Sequence, residues 1–347
     1  MRSNKKAIMV GNISIGGTNH VVIQSMTNTI TSDVAKTVKQ INDLINEGCE
    51  IVRVAILNED DALAIKEIKK YVNIPVVADI HFDYKLALLA VENGADKIRI
   101  NPGNISNEAK LRAIIERCKE FNVPIRIGIN SGSIEKELIE KHGGPTIDAM
   151  LESIDNSIKF FEDNGFTNLI LSIKATDIES TIKANVELDK RYNYPLHIGL
   201  TESGTINAGT VRSSYTLGTI LNQGIGNTIR VSLHGNPTNE IGVAKEILAM
   251  CNLYTKPTLI VCPTCGRTRY QMTPVVEEIE SFIKNLNKPI KIAIMGCVVN
   301  GPGEAKEAEI GIAGGDGCAV LFKYGEIIEK LPEDKIVERL KEEIMKL

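Results

Sequence analysis

From Val21 to Met250 the chain repeats a single rhythm: a short β-branched run, then a longer segment with apolar residues at helical spacing. The candidate strands are Val21–Ser25, Ile51–Val54, Pro75–Asp79, Lys97–Asn101, Pro124–Ile129, Leu169–Lys174, Leu196–Leu200 and Thr228–Ser232. Helical patterns fill the gaps at Asp33–Glu47, Asp60–Tyr71, Tyr84–Asn93, Asn107–Phe121, Thr146–Asp163, Ile178–Arg191, Ile206–Leu221 and Glu240–Met250. Ser32 and Ser106 stand at N-cap positions, and Gly48, Gly94 and Gly165 where C-caps are expected. Eight β-then-α units over roughly 230 residues predict an α/β fold of the (β/α)8 TIM-barrel type rather than a doubly wound sheet. A hairpin, Ala7–Val10 and Ile13–Ile15, precedes them.

At 347 residues the chain is long for one core. Beyond about Asn252 the rhythm changes. Thr258–Val261 reads as a strand leading into Cys262, Pro274–Leu286 as a helix, and Ile290–Met295 as a strand leading into Cys297. Ile310–Ala313 and Ala319–Phe322 read as strands around Gly314-Gly315-Asp316-Gly317, and Lys335–Lys346 as an amphipathic helix. The expected division is residues 1–253 for the barrel and 254–347 for a small α/β domain.

With 40 basic and 44 acidic residues, a net charge of −4 gives no reason to expect a nucleic-acid partner. Tryptophan is absent and aromatics make up 4%, which argues against stacking platforms for single strands. The apolar run Ala7–Val10 is too short for a signal-peptide core, and no segment approaches a membrane span. Seven cysteines without an export signal imply a reducing cytoplasm, where a C-x-x-C binds metal or catalyses more often than it forms a structural disulfide. Cys49, Cys118 and Cys251 sit in or beside apolar helical patterns and read as small buried hydrophobes.

Arg53, Asp79, Arg99 with Asn101, Arg126 with Asn130, Lys174, and Arg230 with Ser232 and His234 lie at or just past the expected strand ends. Side chains alternate faces along a strand, and within each longer set the named residues share parity. Barrel enzymes keep their chemistry at this C-terminal mouth. Single arginines there could pair with Asp79 or Glu202 to close the barrel. As a set, Arg53, Arg99, Arg126, Lys174 and Arg230 face few acids and point to an anionic ligand, and guanidinium forks match phosphate oxygens.

Cys262-Pro-Thr-Cys265 is followed much later by Cys297, and then by Asn300-Gly301-Pro302-Gly303-Glu304. Two thiolates from one turn and a third from a distant loop suit an iron–sulfur cluster with an open or oxygen-ligated fourth position. The Glu304 carboxylate could supply that position, or be a solvated charge among Lys306, Glu307 and Glu309. Cys318 could instead complete a closed set, giving structural zinc or an all-cysteine cluster. Radical-SAM spacing, a Walker A loop and a dinucleotide-binding fingerprint are all absent.

Met295-Gly-Cys-Val-Val-Asn-Gly-Pro-Gly-Glu304 with Cys262-Pro-Thr-Cys-Gly-Arg267 resembles the 4-hydroxy-3-methylbut-2-enyl diphosphate synthases of the non-mevalonate isoprenoid pathway. The resemblance extends through Val22-Ile-Gln-Ser-Met-Thr-Asn28, Val77-Ala-Asp-Ile-His-Phe82, Arg99-Ile-Asn-Pro-Gly-Asn104 and Ser232-Leu-His-Gly235, in the compact bacterial two-domain form. It implies a [4Fe–4S] cluster on Cys262, Cys265, Cys297 and Glu304, with Glu304 also placed to deliver a proton, and Asn300 joining the barrel residues at the substrate. It further implies reductive ring opening of 2-C-methyl-D-erythritol 2,4-cyclodiphosphate with loss of a hydroxyl as water. Flavodoxin or ferredoxin would supply the electrons, and a homodimer would share its active site between subunits. Two other classes stay open: a barrel transferase or hydrolase of a phosphorylated or pterin-like substrate with a structural zinc domain, and a non-catalytic electron carrier or cluster-binding regulator.

Overall fold

The computed structural model describes the whole chain except residues 106, 176, 202–203, 285, 299–304, 306 and 316. The Ser106 cap, Glu202, Asn300 and Glu304 therefore lie outside the described residues. The chain divides into two compact units, Met1–Leu253 and Tyr254–Leu347.

In the first unit a hairpin, β1 (Ile8–Val10) and β2 (Ile13–Ile15), precedes eight parallel strands. These are β3 (Val22–Met26), β4 (Ile51–Ala55), β5 (Val76–Asp79), β6 (Lys97–Ile100), β7 (Ile125–Asn130), β8 (Leu169–Lys174), β9 (His197–Gly199) and β10 (Thr228–Arg230). Their hydrogen-bonded order is β8-β7-β6-β5-β4-β3-β10-β9. The Leu171 amide, donating to the Pro195 carbonyl at 3.0 Å, joins β8 to β9 and closes the ring. The expected (β/α)8 barrel is present.

Helix starts follow from short polar side chains that accept the free amides of a first turn. Asp33 caps Val34–Glu47, and Asn107 caps Glu108–Glu120. The first cap therefore falls one residue after Ser32, because the longer Asp33 carboxylate reaches the Lys36 amide. One helix was not anticipated: Lys136–His142, in which only Leu138 is buried, so it leaves no apolar period to detect.

The hairpin plugs one end of the barrel. Ile8, Val10 and Ile15 form one apolar cluster with Val22, Ile51, Val77 and Ile170, drawn from four different strands. That contact fixes which strand parity faces inward. Counting by twos from these residues, Gln24, Arg53, Asp79, Ser172 and Lys174 all face the interior. The barrel is thus dry at its N-terminal end and polar above it.

The second unit is a five-stranded sheet in the order β11 (Thr258–Val261), β12 (Lys291–Met295), β13 (Ile310–Gly315), β14 (Cys318–Lys323), β15 (Glu326–Pro332). β11 to β13 run parallel; β14 and β15 return antiparallel. Helices Met272–Ile283 and Ile336–Lys346 contribute Val275, Ile279, Leu340 and Ile344 to its core. β15 was also not anticipated. Its turn, Tyr324–Gly325, has positive φ at both residues (49° and 82°), as a two-residue I′ hairpin demands. Ile327 and Ile328 stand exposed on this edge strand, so the usual alternation is missing.

Candidate functional site

Six cationic side chains line the barrel: Arg53, Lys97, Arg99, Arg126, Lys174 and Arg230, and all but Arg230 are buried. Among the described residues, two carboxylates pair with them. Asp79 lies 3.2 Å from Arg99 Nη1 and 3.6 Å from Arg53 Nε, with His81 Nε2 at 3.5 Å. Burial alone would raise the Asp79 pKa, but Arg53, the His81 hydrogen bond, Arg99 and Arg126 together hold it well below the usual carboxylate range. Glu240 Oε2 lies 3.5 Å from Arg230 Nε, an ion-pair distance without hydrogen-bond geometry. Glu240 also accepts from Ser25 Oγ and from the Leu233 amide.

Cations remain in surplus. Arg126 is 2% exposed, and its Nε and Nη1 have no partner among the described residues. Arg99 Nε is likewise unpartnered. Burial, with Arg53 and Arg99 as neighbours, pushes the Arg126 pKa well down. Donors buried without acceptors cost free energy unless a ligand supplies them. Two strands make room for these groups by carrying glycine where the neighbouring side chain crosses. A Cβ on Gly199 would fall 2.6 Å from Lys174 Nζ, and one on Gly128 3.0 Å from Arg99 Nε.

Of the expected mouth residues, Arg53, Arg99, Arg126, Lys174 and Arg230 converge as a cationic interior. Asp79 faces that interior too, with both oxygens committed to cations. Asn101 is buried, and its amide donates to the Ser133 carbonyl (3.0 Å) and Oγ (2.8 Å), which anchors the loop after β7. Asn130 ends β7 level with Lys174. β10 stops at Arg230, so Ser232 and His234 lie in the following loop rather than on a strand, and His234 is exposed. Lys97, Gln24, His197 and Glu240 were missed. Lys97 shares the parity of Arg99 on its own strand, which is the signal that finds it.

In the second unit, Cys262 follows β11 directly and its amide donates to the Ile294 carbonyl at 3.2 Å; Cys297 lies two residues past β12. The two strands are parallel neighbours, so both cysteines leave the same end of the sheet. The Gly296 amide donates to Cys262 Sγ at 3.0 Å. Cys265 sits in a tight turn closed by its own carbonyl and the Thr268 amide (3.0 Å), and the next amide, Arg269, reaches the Gly296 carbonyl at 3.0 Å. Cys318 opens β14 at that same end, opposite Gly315. A thiol donor set with an amide already aimed at one sulfur fits an iron–sulfur centre, whose sulfurs accept such bonds. Among the described residues, no three His, Cys, Asp or Glu side chains converge as a site for a single metal ion. Cys49 and Cys118 are buried, and burial pushes both thiols up to about 12, which keeps them inert. Cys251 is half-buried. No helix among the described residues is long and apolar enough to cross a membrane.

A closed β/α barrel with an under-neutralised cationic interior, followed by a cysteine-bearing α/β unit, defines a two-domain barrel protein that receives an anion. The chain belongs to the GcpE family: the GcpE TIM-barrel domain matches residues 5–245 and the GcpE protein C-terminal domain residues 258–346. It is 54% identical over 347 residues to the 4-hydroxy-3-methylbut-2-en-1-yl diphosphate synthase (flavodoxin) of Anoxybacillus flavithermus, covering 100% of this chain and 95% of that one. The protein of the same name from Geobacillus kaustophilus is 53% identical, with 100% and 93% covered. Among solved structures, a Yersinia pestis dihydropteroate synthase superposes with a TM-score of 0.51 at 10% identity, covering 71% of this chain and 97% of that one. That likeness is one of fold alone.

Proposed function

We infer that this chain catalyses the reaction for which its relatives are named, forming 4-hydroxy-3-methylbut-2-en-1-yl diphosphate from 2-C-methyl-D-erythritol 2,4-cyclodiphosphate. The reaction adds two electrons and two protons, opens the cyclic diphosphate at a C–O bond and releases one water. The observation that carries this reading is the buried Arg126 guanidinium, with two nitrogens unpartnered among the described residues, in a barrel whose described cations outnumber its described acids.

Arg53, Arg99, Arg126, Lys174 and Arg230 hold the diphosphate, while Asp79 and Glu240 orient the guanidiniums rather than meet the substrate. Asn101, Asn130, Ser232, His234 and Asn300 contribute neutral contacts around it. The [4Fe–4S] cluster is held by Cys262, Cys265 and Cys297, with Glu304 as the fourth ligand. When bound, such a cluster supplies single electrons and a Lewis-acidic iron. Glu304 is the group proposed to hold the proton that leaves with the hydroxyl. Flavodoxin is the proposed donor. The working unit is a cytoplasmic homodimer whose active site is shared between subunits.

The test is anaerobic purification followed by iron, sulfide and zinc analysis, then turnover of the cyclodiphosphate with reduced flavodoxin. Iron with sulfide and formation of the linear diphosphate are expected. Zinc without sulfide, and no turnover, would return the chain to the transferase or hydrolase class.

A further inference from the structure

One layer below the mouth, the barrel holds a lysine to which the catalytic reading assigns nothing. Lys97 is 0% exposed, and its Nζ reaches Gln24 Oε1 at 3.3 Å. No carboxylate among the described residues pairs with it. We propose that Lys97 is a charge-regulating residue: a neutral amine while the barrel holds no anion, which takes up one proton when a diphosphate binds above it. This rests on the reading of the mouth as a diphosphate site.

The groups around Lys97 make the ammonium costly in the anion-free barrel. Arg126 on β7 and Arg53 on β4 repel it, and its own strand carries the buried Arg99 two residues on. The carboxylates are committed elsewhere: Asp79 on β5 to Arg53 and Arg99, Glu240 to Arg230, Ser25 and the Leu233 amide. From β9, His197 adds no negative charge. Its Nδ1 is hydrogen-bonded to Thr228 Oγ1 and its Nε2 is buried without a partner among the described residues. An ammonium has three N–H donors, and Gln24 Oε1 as its one acceptor among the described residues leaves two unsatisfied, where an amine needs fewer. Burial first, then Arg126 and Arg53, drive the lysine pKa well below its usual value. His197 is driven down by burial first and then by neighbouring cations, Arg126 foremost, so it too stays uncharged.

A diphosphate reverses this balance. At an effective interior dielectric of about 20, a negative charge roughly 8 Å away raises the proton affinity of an amine by about tenfold or more. The proton comes from solvent as the anion enters. A site that gains a proton on binding holds its ligand more weakly as pH rises.

The experiment is calorimetric titration of the anaerobic holoenzyme with inorganic pyrophosphate between pH 7 and 9, in buffers of different protonation enthalpy. Free pyrophosphate brings the same protons to both proteins, so the difference between wild type and Lys97→Met reports what this residue adds to the proton balance of binding. Wild type should take up about half a proton or more per pyrophosphate beyond Lys97→Met at the pH where the difference peaks, as a tenfold or larger rise in proton affinity requires. Its affinity should fall, relative to the variant, by as much as about tenfold per pH unit. Lys97→Gln serves if the methionine variant does not fold. If neither folds, 13Cε-lysine labelling of wild type and Lys174→Arg should show a buried amine that becomes an ammonium with pyrophosphate. Equal proton uptake and parallel pH slopes, or an ammonium without ligand, would overturn the proposal and leave the diphosphate site intact. No pyrophosphate binding by wild type would overturn the diphosphate site, and the proposal with it.

Discussion

Lys174 Nζ lies where a side chain on Gly199 would begin: a Cβ there would stand 2.6 Å away, and 2.9 Å from the Arg230 carbonyl oxygen. Lys174 and Gly199 sit on strands joined only where the barrel closes. The missing side chain is what lets the Lys174 amine nitrogen cross the interior towards the arginines. Gly199→Ala should therefore displace Lys174. We expect KM for the cyclodiphosphate to rise roughly tenfold, about 1.4 kcal/mol, with kcat and iron content changed less. Overpacking should also lower stability by about 1–3 kcal/mol. Steady-state kinetics beside a thermal melt check this, and an unchanged KM would remove Lys174 from the binding set.

Asp79 relieves part of the charge surplus by pairing with Arg53 and Arg99. Removing one partner of a buried pair typically costs about 3–5 kcal/mol. Asp79→Asn should accordingly melt well below wild type when no anion is present. Pyrophosphate should recover much of the loss, because it supplies the negative charge the variant lacks. A variant as stable as wild type would mean that the guanidiniums reach solvent freely.

The eight-unit rhythm made the barrel legible because each strand is a β-branched run bounded by helical spacing, and tertiary contacts only confirm it. The mouth cations were legible for the same reason, since strand ends and parity are sequence properties. Asp79 was legible as a mouth residue and as an acid that single arginines could pair with, but not as the acid that orients Arg53 and Arg99 together. That role depends on Arg53 and Arg99 arriving from two other strands. Lys97 was passed over because it opens its strand, where a charged residue usually faces solvent; only the hairpin plug below shows that this layer is interior. β15 was missed because an exposed edge strand lacks alternation, and Lys136–His142 because one buried leucine sets no period.

Lys97 and Lys174 also predict how stability follows pH. Burial, with neighbouring arginines, depresses both pKa values in the native state. The unfolded chain therefore binds protons that the folded chain does not, throughout the range between the depressed values and about 10.5. Within that window, their contribution makes the anion-free protein more stable as pH rises. Lys97→Met should flatten the slope, and saturating pyrophosphate should flatten it in wild type. Urea titrations at several pH values measure this; a wild-type slope untouched by either change would mean that both lysines are charged when folded.

Sharing of one active site between subunits makes a separate claim. Arg126→Ala leaves the cysteines intact, and Cys297→Ser leaves the barrel intact. Each should be inactive alone. Mixed under conditions that exchange subunits, they should recover up to about a quarter to a half of wild-type activity, because a heterodimer restores one complete site. No recovery despite demonstrated exchange would place each site within one chain.

The four cysteines at the sheet end separate a cluster with an exchangeable ligand from a closed four-thiolate site. Cys262 and Cys297 leave adjacent parallel strands, and the Gly296 amide already points at Cys262 Sγ. Cys318 opens a strand two places away from Cys297, with its Sγ turned over Gly315. Serine at 262, 265 or 297 should reduce bound iron severely and abolish turnover, since a hydroxyl is a poor substitute for a thiolate. Cys318→Ser should leave iron and turnover largely intact. Glu304→Gln should retain most of the iron, because three thiolates remain, yet turn over very slowly, because the amide neither carries the charge nor delivers a proton. Iron and sulfide analysis beside cyclodiphosphate turnover decides the matter. Loss of the cluster in Cys318→Ser with retention in Glu304→Gln would make the site an all-cysteine one and assign Glu304 to proton delivery alone.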